Sequence, residues 1–194
     1  MTRSPVVLLG LVVTLALADS ASAQWLGVKG GVTLSNVHFD PDESSLSPTG
    51  EVGYLFGGIV NFRLFGLGMQ TEALYSQRRV TFEGFIEDTT TYLEVPLLAR
   101  VGVFGAGAWR GYVLGGAAFG WLLDAKEEFA GQSEDIKRSF ESIEFAASIG
   151  GAAEWRGRWV FDFRYIYGLT DIYSGVGAPS ARQRAMQITA GYRF

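Results

Sequence analysis

WVFDFRYIYGL, residues Trp159–Leu169, changes character at every step. Trp159, Phe161, Phe163, Tyr165, Tyr167 and Leu169 share one parity, and Asp162 and Arg164 lie between them on the other. Successive side chains of a β-strand point to opposite faces. One face of this strand is therefore apolar and aromatic, while the other carries two opposite charges in mid-strand. Helical periodicity would not separate the two classes in this way.

The same two-residue period runs through most of the chain after Gln24. Leu26, Val28, Val32 and Leu34 alternate with Lys29, Thr33 and Ser35. Tyr54, Phe56, Val60, Phe62 and Leu64 oppose Asn61 and Arg63. Leu67, Met69, Ala73 and Tyr75 oppose Gln70, Glu72 and Ser76. Leu93, Val95, Leu97, Ala99, Val101 and Val103 oppose Glu94 and Arg100. Ile143, Phe145, Ala147, Ile149 and Trp155 oppose Glu144, Ser148 and Glu154. At the C-terminus, Met186, Ile188, Ala190, Tyr192 and Phe194 oppose Gln187, Thr189 and Arg193. A further segment, GYVLGGAAFGWLL, is small or apolar on both parities, so pattern leaves its orientation open.

Eight strands are expected, at about 25–38, 52–64, 67–82, 90–104, 110–124, 141–156, 159–172 and 183–194. Each exceeds the ~9–11 residues with which a tilted strand crosses a bilayer. Connections alternate. Those at 65–66, 105–109 and 156–158 are short, whereas 39–51, 83–89, 125–140 and 173–182 are longer and polar. Short turns on one side and long loops on the other are the signature of an outer-membrane barrel. Pro96 falls inside the fourth strand, where a ladder N–H is wanted, so a bulge is expected there.

An ordinary sandwich also alternates, but its polar face meets water. Here the polar parity carries Lys29, Arg63, Arg100, Arg164 and Arg193 against Glu72, Glu94, Glu144, Glu154 and Asp162. The set balances, and arginine dominates it. Arginine's planar fork suits enclosed pairing with carboxylates. An eight-stranded barrel is just wide enough for side chains to fill, so these ten residues are expected to form a network inside the lumen. Leu55, Ile59 and Leu74 share the inward parity, which makes the interior mixed. Trp155, Trp159, Tyr192 and Phe194 fall beside the short turns, and Tyr54, Tyr75 and Tyr167 toward the long loops, as two interfacial belts would.

The first 23 residues read as a secretory signal peptide. Arg3 precedes an apolar run from Val6 to Ala18, and ASA at 21–23 is a small-residue cleavage pattern. The apolar run is shorter than the ~20 residues a spanning helix needs. Residues 24–194 then form one domain. With no cysteine there is no disulfide framework, and a net charge of −4 without a basic block argues against nucleic acid.

YLEVPLLAR at Tyr92–Arg100, GLTDIY at Gly168–Tyr173 and the terminal GYRF resemble the PorT-like outer-membrane β-barrel family, which is similar in architecture to the small OmpX and OmpA barrels. The resemblance spans about residues 24–194. It implies an all-β, eight-stranded antiparallel up-and-down barrel in the bacterial outer membrane, with both termini in the periplasm. Tyr192 and Phe194 resemble the signal read by the barrel-assembly machinery, which makes that machinery and outer-membrane lipid the expected partners. Some members of the family serve secretion or gliding systems.

Other readings are weaker. Small outer-membrane lipid hydrolases use Ser and His, and this chain has one histidine, His38, with Ser35 three residues away on the opposite parity. A nucleophile must lie within hydrogen-bond reach of its base. Glu72 and Glu94 could pose as a catalytic carboxylate pair, but Arg63 and Arg100 share their face. The acidic DPDE at 40–43 and KEEFAGQSEDIK at 126–137 lack the spacing of a Ca²⁺ loop. A soluble lipocalin-like carrier would place the apolar parity inside and the charges outside. The expectation is a monomeric, non-enzymatic barrel without metal or cofactor. Its partner-binding surface would lie in the long loops.

Overall fold

A computed structural model describes residues 23–40, 49–82, 86–129, 132–135, 143–170 and 180–194. These form ten strands: β1 (Ala23–Asp40), β2 (Thr49–Gly50), β3 (Val52–Leu64), β4 (Leu67–Phe82), β5 (Ile86–Ala106), β6 (Trp109–Phe129), β7 (Gln132–Asp135), β8 (Ile143–Trp155), β9 (Trp159–Gly168) and β10 (Ser180–Arg193). Eight of them make the wall. Each pairs antiparallel with its neighbour in the chain, and β10 returns to pair with β1, so the sheet closes into a barrel. The short strands β2 and β7 add to the edges of β4 and β6 beyond the ring.

Closure is what a membrane demands of a sheet, because an open edge would leave backbone N–H and C=O groups in hydrocarbon. The seam runs from Gly27 opposite Arg193 to Asp40 opposite Ser180. It holds the last residue too: the Phe194 N–H donates to the Leu26 carbonyl at 2.9 Å.

The short turns lie at one end. Phe65 and Gly66 both have positive φ, 50° and 82°, the combination that a two-residue type I′ hairpin requires. Arg156 and Gly157 likewise adopt φ of 52° and 67°. At the other end the walls run further than charge density suggested. β1, β5, β6 and β10 include residues 39–40, 86–89, 125–129 and 180–182, which read as loop by composition. Ladder hydrogen bonds need only backbone, so a hairpin can continue into water after its apolar side chains end.

Pro96 brings a correction. The β4–β5 register is unchanged from Thr71 opposite Leu97 to Leu74 opposite Glu94, so no bulge forms there. The ladder skips the intervening positions. Pro96 is buried in the lumen, and its carbonyl accepts a hydrogen bond from the Thr71 hydroxyl at 3.0 Å. The β5–β6 pair shifts register instead at Thr91/Tyr92 and Gly102/Phe104. The orientation of β6 follows from its burial. Leu114, Ala118, Gly120 and Leu122 point inward, and Val113 and Leu123 point out.

Burial alternates along β8 and β9 in phase with the sequence pattern. Phe161, Phe163, Ile149 and Ile188 are exposed on the outside, while Asp162 and Arg164 are buried inside. Aromatic rings ring the turn end: Trp109 meets Trp155 at 6.2 Å, Trp159 meets Tyr192 at 5.3 Å, and Tyr192 meets Phe194 at 6.1 Å. Toward the other end Tyr54 stacks on Tyr75 at 6.4 Å.

The seam is tight at Gly31, where a Cβ would lie 2.0 Å from the Ile188 carbonyl oxygen; at Gly30 the nearest atom would be 3.5 Å away. Gly31→Ala should therefore lower unfolding free energy by about 1–3 kcal/mol, the usual range for overpacking. Gly30→Ala should change it by less than ~0.5 kcal/mol, as a substitution without a clash does. Urea titrations of the protein in lipid vesicles measure both.

Candidate functional site: the charged lumen

The inward parity supplies three polar layers, each tying strands across the barrel. The middle layer is a closed ring of alternating charge. Lys29 Nζ lies 3.1 Å from Glu72 Oε1 and 2.5 Å from Asp162 Oδ2. Arg164 Nη2 lies 2.7 Å from Glu72 Oε2, and its Nε 3.0 Å from Asp162 Oδ1. Gln70 donates to Glu72 at 2.6 Å. β4 and β9 stand opposite each other in the ring of strands, so the Glu72–Arg164 pair spans the lumen. Arg164 is 1% exposed.

The layer toward the long connections centres on Arg78. Its guanidinium meets Glu94 at 2.7 Å and Glu144 at 3.0 Å, and it also donates to the Gln183 side chain. Gln187 donates to the other Glu94 oxygen at 3.0 Å, and the Tyr92 ring lies under Arg78. In the layer at the turn end, Arg100 pairs with Glu154 at 2.6 Å, donates to Asn61 at 3.0 Å and stacks 3.6 Å from the Tyr112 ring centroid. Tyr112 donates its hydroxyl to Glu154 at 3.2 Å.

Apolar patches lie among these layers. Trp25, Ile59 and Val160 form one, Leu98, Leu114 and Ala152 another, and Ala118, Ala146, Ile166 and Ala185 a third. Leu55 and Leu74 are also fully buried inside.

The structure thus brings together Lys29, Glu72, Glu94, Arg100, Glu144, Glu154, Asp162 and Arg164. Arg63 and Arg193 line the turn-end mouth beside Arg100 and Glu154. Arg63 is exposed at the turn end, and Arg193 lies at the rim with its guanidinium 5.3 Å from the Trp25 ring centroid. Both sit within two residues of a strand end, and a long arginine side chain reaches water from there. Arg78 takes part as well. It continues the parity of Gln70, Glu72, Leu74 and Ser76, and that continuation is the signal that identifies it. The ion pairs named above join four cations to five carboxylates, and one Glu144 oxygen, Oε1, has no hydrogen-bond partner.

Catalytic and metal readings gain no geometry. Ser35 is buried beside Thr33, their hydroxyls 3.4 Å apart, while the His38 side chain lies outside the described residues. Glu72 and Glu94 are occupied in different layers. Residues 41–43 and the side chains of 126–137 also lie outside the described residues. Among the described residues no three His, Cys, Asp or Glu side chains are grouped to hold a metal ion.

Comparison with known proteins bears on the fold. A family model described as an outer membrane protein beta-barrel domain matches residues 18–174. No functionally curated protein matches the sequence. Among solved structures, Neisserial surface protein A is similar with a TM-score of 0.56 at 10% identity, covering 89% of this chain and 99% of that one. The attachment invasion locus protein Ail of Yersinia pestis aligns at 21% identity over 87% and 97% of the two chains, with a TM-score of 0.44. OprG of Pseudomonas aeruginosa aligns at 16% over 89% and 97%, with a TM-score of 0.46.

Removing one partner of a buried ion pair strands the other and typically costs about 3–5 kcal/mol. Arg164→Met, which leaves Glu72 and Asp162 with Lys29 alone, should lose that much on urea unfolding. Arg63→Gln at the rim should shift stability by less than ~0.5 kcal/mol, as exposed substitutions do.

Proposed function

The chain belongs to the outer membrane protein beta-barrel domain family, and from that premise we propose a monomeric, non-enzymatic barrel of the PorT-like kind. Its lumen is closed by ion pairs, and it acts through the connections opposite the short turns. The protein is a small β-barrel of the bacterial outer membrane. The observation that carries the closed-lumen reading is the crossing of the barrel by Glu72–Arg164 and Arg78–Glu144, with both guanidiniums buried. A channel needs water where these side chains meet. The non-enzymatic reading is supported by the engagement of each of the buried carboxylates Glu72, Glu94, Glu144, Glu154 and Asp162 with at least one cation.

The termini and short turns face the periplasm in this reading, so the long connections face outward. Residues 39–51 and 125–140 are then the segments that meet a partner, since surface connections carry binding while a rigid scaffold positions them. Tyr192 and Phe194 act as the assembly signal. Phe194 is 73% exposed and its ring adds little burial, which favours a role in being read over a role in packing.

Purified protein in planar bilayers should show no large, stable conductance. A wide, steady pore would contradict the closed lumen. The terminal ring gives a second test. If Phe194 only packed, Phe194→Ala would cost at most about 3–5 kcal/mol, the range for a buried aromatic. As an assembly signal, its loss should leave unfolded protein in the periplasm of cells, while the same variant refolds normally from denaturant into detergent. Normal membrane levels of the variant would count against that role.

A further inference from the structure

The turn-end mouth of the lumen contains a cavity of about 280 Å³ whose wall is basic. Arg63, Arg100, Arg110 and Arg193 line it with one carboxylate, Glu154. Arg100 is paired with that carboxylate at 2.6 Å. Two buried nitrogens on the same wall have no acceptor. Asn61 is 2% exposed; its Oδ1 accepts from Arg100 Nη1 at 3.0 Å, and its Nδ2 has no partner. Arg100 Nε is likewise without one.

A buried donor without an acceptor is destabilising, so this wall is unfavourable as it stands and is complementary to an acceptor-rich guest. A cation would be repelled by the arginines, and an apolar guest would leave both nitrogens unsatisfied. A carboxylate or phosphate accepts several such hydrogen bonds at once, and guanidinium forks match its geometry. Stacking on Tyr112 fixes the plane of the Arg100 guanidinium, which reduces the ordering needed on binding. The other end of the lumen differs: Arg78 is fully engaged by Glu94, Glu144 and Gln183. At ~30 Å³ per water, the turn-end cavity has room for a group of pyrophosphate size.

We propose that this mouth binds a small phosphate-class oxyanion, held by the Asn61 amide and the surrounding arginines. The compartment that supplies the anion follows from the orientation proposed above, but binding itself does not depend on it.

The test is isothermal calorimetry of inorganic pyrophosphate with the full chain folded in a maltoside detergent, which has no phosphate of its own. Asn61→Asp keeps an acceptor for Arg100 while replacing the free donor with negative charge. It should weaken binding at least tenfold, and so should the double variant Arg63→Gln/Arg110→Gln. Arg158→Gln, which is exposed and outside the cavity, should leave affinity unchanged. The shift in gel migration on boiling verifies that each variant is folded. If Asn61→Asp does not fold, the double variant at the rim decides. Added phosphatidylglycerol that competes identifies a lipid headgroup as the source of the phosphate, and absence of competition identifies a soluble one. Absence of pyrophosphate binding by the unaltered chain at millimolar concentration, or equal affinity in the folded variants, would overturn the proposal.

Discussion

Four charges at the centre of the barrel constrain everything around them. Lys29 and Arg164 are buried, and the ring they form with Glu72 and Asp162 joins β1, β4 and β9, three strands distant in the chain. Such a ring is tolerable only when every partner is in place. It therefore demands one strand register. Slipping β9 by a single residue would turn Asp162 and Arg164 toward lipid and Phe161 and Phe163 inward. A basic residue at the bilayer midplane costs about 2–4 kcal/mol, and the slip would also leave Glu72 with Lys29 as its one cation in the ring. The ring is thus best understood as a device that selects one barrel among those the same ladders could form. Whether it adds net stability is a separate matter, because burying the charges offsets much of what their attraction contributes.

The wall meets the complementary demand from outside. Its exposed face is Val, Ile, Leu and Phe between two aromatic zones, and its backbone groups are paired around a closed ring. The seam between the first and last wall strands carries this to the end of the chain, where the Phe194 N–H is bonded to Leu26. An amphipathic strand with a terminal ring is therefore consistent with its surroundings. The backbone has a partner and the ring has an interface.

Most of this was legible in the sequence because period two is absolute in a strand. Once WVFDFRYIYGL is read as alternating, Asp162 and Arg164 must share a face and Phe161 and Phe163 the other. The same logic placed Glu72, Glu94, Glu144 and Glu154 inside. It failed where residue type replaced parity as the guide. Arg78 lies beside Arg79 near a strand end and resembles loop chemistry, yet its parity is that of Glu72. Arg63 and Arg193 have inward parity and line the mouth of the lumen. The glycine- and alanine-rich β6 has no contrast between its faces, so only its neighbours orient it. Pro96 suggested a bulge by a rule about ladder hydrogen bonds, but the register runs through it unbroken, with the Thr71 hydroxyl donating to the Pro96 carbonyl. Which carboxylate meets which cation depends on contacts between strands far apart in the chain, and alternation within one strand does not contain that information.

The central claim is that the charged parity faces the lumen and the apolar parity faces lipid, the reverse of a soluble β-barrel. The chain contains no cysteine, so single cysteines introduced along β9 at positions 159, 160, 161, 163, 165, 166 and 167 each carry one spin label. Oxygen concentrates in the bilayer, and collision rates measured by electron paramagnetic resonance in vesicles report which labels reach it. The account predicts high oxygen accessibility at 159, 161, 163, 165 and 167 and low accessibility at 160 and 166. Maxima at the even positions, or no alternation, would contradict it.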